Sequence, residues 1–146
     1  MSTSNPYIDA QSTNNSSRSA RIYKDLNLNF LAHPVKKDIQ KLYDVEAVKR
    51  SVRNLIFLNR FDKPFHPEIF GGIRELLFEP VSPFVVDIIQ DKIKNVINTY
   101  ERRVELSSVI VTDNSDNNEY KITIEFYILN TPAELITLET ILQRAR

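Results

Sequence analysis

The sequence reads as an α+β domain: a small antiparallel sheet of two to three strands with two main helices packed on one face. Three observations carry that reading. Apolar residues recur at helical spacing over two separate stretches, they alternate one by one over a later pair of stretches, and a turn-rich hexapeptide splits that alternating pair. A chain of 146 residues with 42% hydrophobic and 26% charged content builds one core. One domain, 21–146, is therefore expected.

Residues 1–20 are dominated by Ser, Thr, Asn and Gln with few apolar anchors, so they cannot offset their own ordering entropy. They read as a mobile arm that orders, if at all, on a partner. Apolar and Asn residues alternate from Leu26 to Phe30, which predicts a short strand or extended segment before His33-Pro34. The first helix starts at Asp44, a good N-cap, and carries Val45, Val48, Val52, Leu55 and Ile56 on one stripe. Lys49, Arg50 and Arg53 fall off that stripe and read as a solvated face.

The segment from Asn59 to Pro67 stops the helix with two prolines and forms a loop with aromatic contacts. Gly71 and Gly72, the chain's two glycines, mark a turn that needs unusual backbone angles or close packing. A helical turn over Ile73 to Phe78 follows. The second long helix is capped by Ser82 with Pro83 at its first position, and Val85, Ile89, Ile93, Val96, Ile97 and Tyr100 line its buried face.

Beyond it, Val104, Leu106, Ser108 and Ile110 alternate with Glu105, Ser107, Val109 and Val111. Asp113 to Asn118 forms the turn of a hairpin. In the returning strand Tyr120, Ile122, Ile124, Phe126 and Ile128 point one way and the intervening residues the other. The segment Ile136 to Leu142 fits a two-residue and a helical period alike; with Thr131-Pro132 as a preceding turn, a third strand is preferred.

Nineteen basic and nineteen acidic residues balance, so no overall field draws the chain to nucleic acid or an anionic membrane. The absence of cysteine excludes disulfides, thiolate metal ligands and a thiol nucleophile. No apolar run approaches the roughly 20 residues that cross a bilayer, and the N-terminal stretch lacks a signal peptide's apolar segment. His33 and His66 each precede proline and lie outside any paired ligand motif, which assigns them to loop packing rather than metal binding. No cofactor is implied. Phe57, Phe61, Phe65, Phe70 and Phe78 read as core and satellite-cluster residues rather than a base-stacking platform, although exposure of Phe65 would instead mark a partner surface.

The most organised chemistry lies at the helix-to-strand joint, where Glu101, Arg102 and Arg103 follow Tyr100 and precede Val104. A joint holds ionic side chains in fixed directions, so this cluster is a candidate docking point for another protein. The bland alternative is that the arginines complement the helix C-terminal dipole and that Glu101 pairs locally.

Taken together, these features resemble a known family. The stretch from about Leu26 to Leu142 is similar to the small baseplate wedge protein of contractile-tailed phages. This is the lysozyme-like or sheath-initiator family, which also supplies a baseplate subunit of type VI secretion systems. The resemblance rests on Lys37-Asp38-Ile39, on Ala47 through Ile56, on Pro64-Phe65-His66-Pro67 leading to Gly71, and on Leu77-Phe78-Glu79-Pro80. Tyr100-Glu101-Arg102-Arg103-Val104 occupies the place of the family's Glu-Pro-Arg signature, with Arg102 where the proline stands.

The resemblance implies a structural, non-enzymatic virion protein of the tail baseplate, assembled in the host cytoplasm. Its partners would be larger baseplate wedge subunits, tail sheath subunits and central hub or tube proteins, with neither nucleic acid nor membrane. Residues 21–146 would be the wedge domain. Glu101, Arg102, Arg103, Phe65 and Pro67 are the candidate partner-binding residues, with an open sheet edge receiving a partner strand. Competing expectations are a cell-wall glycosidase using two of Glu68, Glu79 and Glu101, or a regulatory binding module of the same fold.

Overall fold

The computed structural model describes residues 23–80, 82–129 and 134–144. The arm expected over 1–20 and the Thr131-Pro132 turn lie outside these residues. Strands β1 (Lys24–Leu26) and β2 (Lys41–Tyr43) come first, then helix α1 (Asp44–Phe57), a 3-10 turn (Arg74–Phe78) and helix α2 (Pro83–Tyr100). Strands β3 (Val104–Asn114), β4 (Glu119–Ile128) and β5 (Ile136–Gln143) complete the order. The last three form one antiparallel sheet, β3-β4-β5, and β1 pairs antiparallel with β2 in a separate two-stranded sheet. The α+β layout is the one the periodicities predict.

The core lies between the helices and one face of the larger sheet. Helix α1 contributes Val48, Val52 and Ile56, and α2 contributes Ile89, Ile93 and Ile97. From β4 come Tyr120, Ile122, Ile124 and Phe126, all without solvent contact. The period-two pattern of this central strand thus puts these four large residues on the helix side, each burial stabilising by roughly 1.5–3 kcal/mol, while Tyr127 faces the other way. Helix α2 packs over β3, with α1 alongside α2. Tyr43 rather than Asp44 holds the cap position of α1, without a side-chain cap bond; Asp44 Oδ1 instead accepts the Tyr23 N–H at 3.1 Å, and with Glu46 it places acidic charge in the first turn. Ser82 Oγ accepts the Val85 N–H at 3.3 Å, and Pro83 opens α2 as predicted. The segment Ile136 to Leu142 is a strand, with Ile136, Thr140 and Leu142 buried.

The glycine pair does two things. Gly71 donates to the Leu58 carbonyl at 2.9 Å, and a Cβ on it would stand 2.5 Å from the Ile56 carbonyl oxygen and 2.9 Å from that of Leu55. Gly72 takes φ +62°, a left-handed angle. Together they close the loop that leaves α1 and bring the chain back against that helix.

Several expectations are corrected. Strand β3 contains a bulge between Leu106 and Ser108: Leu106 pairs with Phe126, and Ser108 pairs with the next residue back, Glu125. The extra residue, Ser107, reverses the alternation, so Val109 and Val111 turn inward and Ile110 is 51% exposed. Simple alternation had grouped Ser108 and Ile110 with Val104 and Leu106. Three consecutive apolar residues satisfy either parity, and the bulge lets Val104 share a face with Val109 and Val111.

Between Leu26 and Phe30 only Leu26 is strand. Asn27 Oδ1 accepts the Asn29 N–H at 3.0 Å, and the Phe30 N–H donates to the Asn27 carbonyl at 2.9 Å, so Asn turn chemistry overrides the alternation. Tyr100 leaves the stripe of α2: it is 37% exposed and its hydroxyl donates to the Glu68 carbonyl at 3.0 Å. Finally, Phe61, Phe65 and Phe78 are exposed rather than core residues, while Phe57 and Phe70 are half-buried.

Candidate partner-docking site

The joint between α2 and β3 is a tight turn. Glu101 caps α2, its N–H donating to the Ile97 carbonyl at 2.9 Å, and the Val104 N–H returns to the Glu101 carbonyl at 3.2 Å. Arg102 therefore holds the second position of a four-residue turn, where proline is favoured. Glu101 has φ −112° and ψ 77°, outside the right-handed helical region that a following proline disfavours. The backbone here has the shape a Glu-Pro-Arg sequence needs, though the chain carries Arg102.

Glu101 is buried, with 4% of its surface exposed. Arg103 meets its carboxylate with two bonds, Nε to Oε1 at 2.6 Å and Nη2 to Oε2 at 2.7 Å, and the Ser51 hydroxyl of α1 donates to Oε2. Burial disfavours the charged carboxylate, but the Arg103 and Ser51 hydrogen bonds and the Arg103 charge outweigh it and hold the group below its usual value. The same bonds raise the Arg103 guanidinium. Arg103 also lies over the Tyr23 ring at 5.5 Å, and its carbonyl accepts the Leu129 N–H at 2.9 Å. Tyr23 closes the circle through its hydroxyl, which donates to the Leu129 carbonyl at 3.0 Å. One carboxylate thus ties α1, the joint, the entry to β1 and the exit of β4.

The other predicted residues lie on the loop after α1. Phe65 is 96% exposed at φ +65°, and Phe61 is exposed at φ +70°. Such angles are unfavourable for an aromatic residue by roughly 1–2 kcal/mol, so the surrounding contacts must impose them. Asp62 Oδ2 accepts from the Asn59 backbone and side chain at 2.8 Å each, and the Arg60 guanidinium lies 5.2 Å from the Phe61 ring and 5.9 Å from that of Phe70. Tyr100 holds the Glu68 carbonyl, so the loop next to Pro67 is fastened to the residue preceding Glu101. Pro67 and Arg102 are both exposed. The structure brings the two predicted clusters to one end of α2, with Phe65, Pro67 and Arg102 outermost and Glu101 and Arg103 beneath.

Sequence reasoning missed Ser51 as the second donor to Glu101. Its signal was available: a lone hydroxyl between Val48 and Val52 on the buried flank of a helix needs a polar partner. Two of the three residues put forward for glycosidase chemistry, Glu68 and Glu101, behave otherwise. A general acid needs a raised carboxyl, whereas Glu101 is lowered. Glu68 is exposed and also lowered, first by a backbone hydrogen bond and then by His66, whose Nδ1 is 3.0 Å away. His33 Nδ1 accepts the N–H groups of Val35 and Lys36 at 3.2 and 3.3 Å, a loop-packing role.

The sheet supplies a second kind of surface. In the order β3-β4-β5 both outer strands have one rim with no strand beside it among the described residues. The bulge breaks the register of β3 with β4, whereas β5 pairs with β4 in unbroken register from Ile136 to Gln143. No helix among the described residues is long and apolar enough to cross a membrane.

Comparison with known proteins agrees with this architecture. Baseplate wedge protein gp25 of Enterobacteria phage T4 is 24% identical over 99 residues, covering 68% of this chain and 75% of that protein. A protein described as a tail lysozyme from Geobacter sulfurreducens superposes with a TM-score of 0.62 at 20% identity, over 68% of this chain and 89% of its own. A chain of the anti-feeding prophage baseplate gives 0.58 at 18% identity, over 85% and 87% of the two chains. One from the postcontracted pyocin R2 baseplate gives 0.51 at 15%, over 82% and 99%. At these identities the structural likenesses speak for the fold. Residues 43–133, from the end of β2 through both helices to the connection after β4, match the family model for baseplate wedge protein gp25, and the chain belongs to that family.

Proposed function

We propose that this chain is a structural, non-catalytic subunit of a contractile-tail baseplate wedge. It docks on helices of larger wedge subunits near the hub and templates the first ring of tail sheath. The observation that carries this reading is a sheet whose β5 rim has no strand beside it among the described residues, on a domain whose Phe65 is held almost wholly in solvent. The rim receives an extended segment of a sheath subunit by strand addition, in which main-chain hydrogen bonds provide affinity. Phe65, Pro67 and Arg102 form the contact with wedge helices, and Glu101 and Arg103 position that end of α2 from within. The protein resides in the tail baseplate of the virion after assembly in the host cytoplasm. Its partners are proteins, not nucleic acid or membrane.

Co-expression with the larger wedge subunits and the sheath subunit, followed by size-exclusion chromatography, tests the reading. Stable co-elution, lost on Phe65→Ala for the wedge subunits, is the expected result. A chain that elutes alone from every mixture, or that clears peptidoglycan when purified, would overturn it.

A further inference from the structure

Between α1 and the β5 rim runs a cleft whose two ends differ in chemistry. At the β5 start, Leu138 lines a hollow of about 290 Å³ with Lys49, Arg50 and Arg53 of α1 and with Asn27, Asn29 and Leu42 from the β1–β2 side. At the β5 end, Ile141 and Leu142 line one of about 550 Å³ with Phe57 of α1 and with Leu77 and Phe78 of the 3-10 turn, and the charged Arg74 and Glu119 line it too. Lys49, Arg53 and Phe57 follow one another at four-residue spacing, which places them on one flank of the helix. The two hollows are therefore successive stretches of a single cleft.

Its basic end is not neutralised from within. Arg50 is held by neutral acceptors, Asn27 Oδ1 at 3.3 Å and Asn29 Oδ1. Among the described residues none of the three cations forms an ion pair, and Glu46 is the one acid lining that hollow. The other end exposes Phe78 at 74% and Ile141 at 55%.

We infer that this cleft takes an acidic, extended segment of a partner chain. Its main chain pairs with the outer rim of β5, an Asp or Glu enters the hollow of Lys49, Arg50 and Arg53, and an apolar side chain enters the hollow of Phe57 and Phe78. The seven residues from Arg50 to Phe57 span roughly 10 Å of helix, about three residues of strand. Side chains on one face of a strand recur every second residue, so the acid and the apolar anchor stand about two or four positions apart. The inference rests on the reading that the β5 rim receives a partner strand, and it adds what that strand carries.

The test measures fluorescence anisotropy of a labelled peptide of roughly ten residues, alternating Val and Thr, with Asp toward one end and Leu four positions away. The full chain is compared with the double variant Lys49→Glu/Arg53→Glu, which alters only the outer flank of α1. Binding to the Asp peptide is expected to weaken about ten-fold or more in the variant, and a Lys-for-Asp peptide should regain it. Equal binding of both peptides to both proteins would overturn the inference. So would self-association that the variant abolishes while no peptide binds, which assigns the cleft to a second copy. Peptide binding that appears only after removal of residues 1–20 would assign it to the chain's own arm and equally end the proposal. The wider reading fails separately: wedge and sheath subunits that never co-elute with the wild-type chain refute it, whereas co-elution unchanged in the double variant removes the cleft alone.

Discussion

The α2–β3 joint and the loop after α1 meet at one end of the molecule and use their side chains in opposite ways. At the joint, the charged residue that looks most available in the sequence, Glu101, is enclosed and wired to Ser51 and Arg103. In the loop, Phe65, the residue type expected inside, stands in solvent on strained backbone. Charge here serves internal cohesion, and apolar surface is left exposed. A buried carboxylate with matched donors is rigid, and a rigid base is what allows an exposed aromatic side chain to keep its direction.

The contrast can be broken most forcefully at Glu101. Glu101→Ala leaves a half-buried guanidinium and the Ser51 hydroxyl without their acceptor, and stability should fall by about 3 kcal/mol in urea unfolding. A loss below about 0.5 kcal/mol would mean the pair is no more than surface decoration. The carboxyl is held below its ordinary value of 4.5 when folded, so its contribution is complete above that pH and drains away as pH falls through the lower folded value. Unfolding midpoints measured down through this window should decline more steeply in the wild type than in Glu101→Gln, which has no proton to take up there.

Next in size is Gly71→Ala at the root of the loop. The added methyl meets the Ile56 and Leu55 carbonyls, and a destabilisation of about 2 kcal/mol is expected. Thermal melts of the variant unchanged from wild type would show that the loop is not seated on α1. Arg102→Pro acts the other way: the turn already accepts proline, so unfolding free energy should rise by about 0.5 kcal/mol. A fall would mean that the turn differs from the one described. The smallest stability effect belongs to Phe65→Gly, which relieves the positive φ and removes no core contact. Stability should stay within about 0.5 kcal/mol of wild type while co-elution with wedge subunits is lost.

Much of this was legible because periodicity reports burial directly. The stripe of α2, the alternation of β4 and the Ser82-Pro83 start follow from local rules that tertiary contacts do not override. The bulge at Ser107 was not legible, since Val109, Ile110 and Val111 fit either parity and only pairing with β4 settles it. The β1–β2 pair was hidden by its length, three residues each, with partners separated by a long turn. At the site, the sequence marked Glu101, Arg102 and Arg103 as a cluster but could not assign inside and outside among neighbours. That depends on Ser51, fifty residues earlier, arriving opposite the carboxylate. The cleft beside β5 combines one flank of a helix with a strand almost ninety positions later, a juxtaposition no local pattern encodes.

The displaced residue in β3 gives the three-stranded layer a polarity. The bulge bends β3 where it pairs with β4, while β5 pairs with β4 in even register. A bulged outer strand of this kind disfavours border-to-border stacking of copies into an endless ribbon.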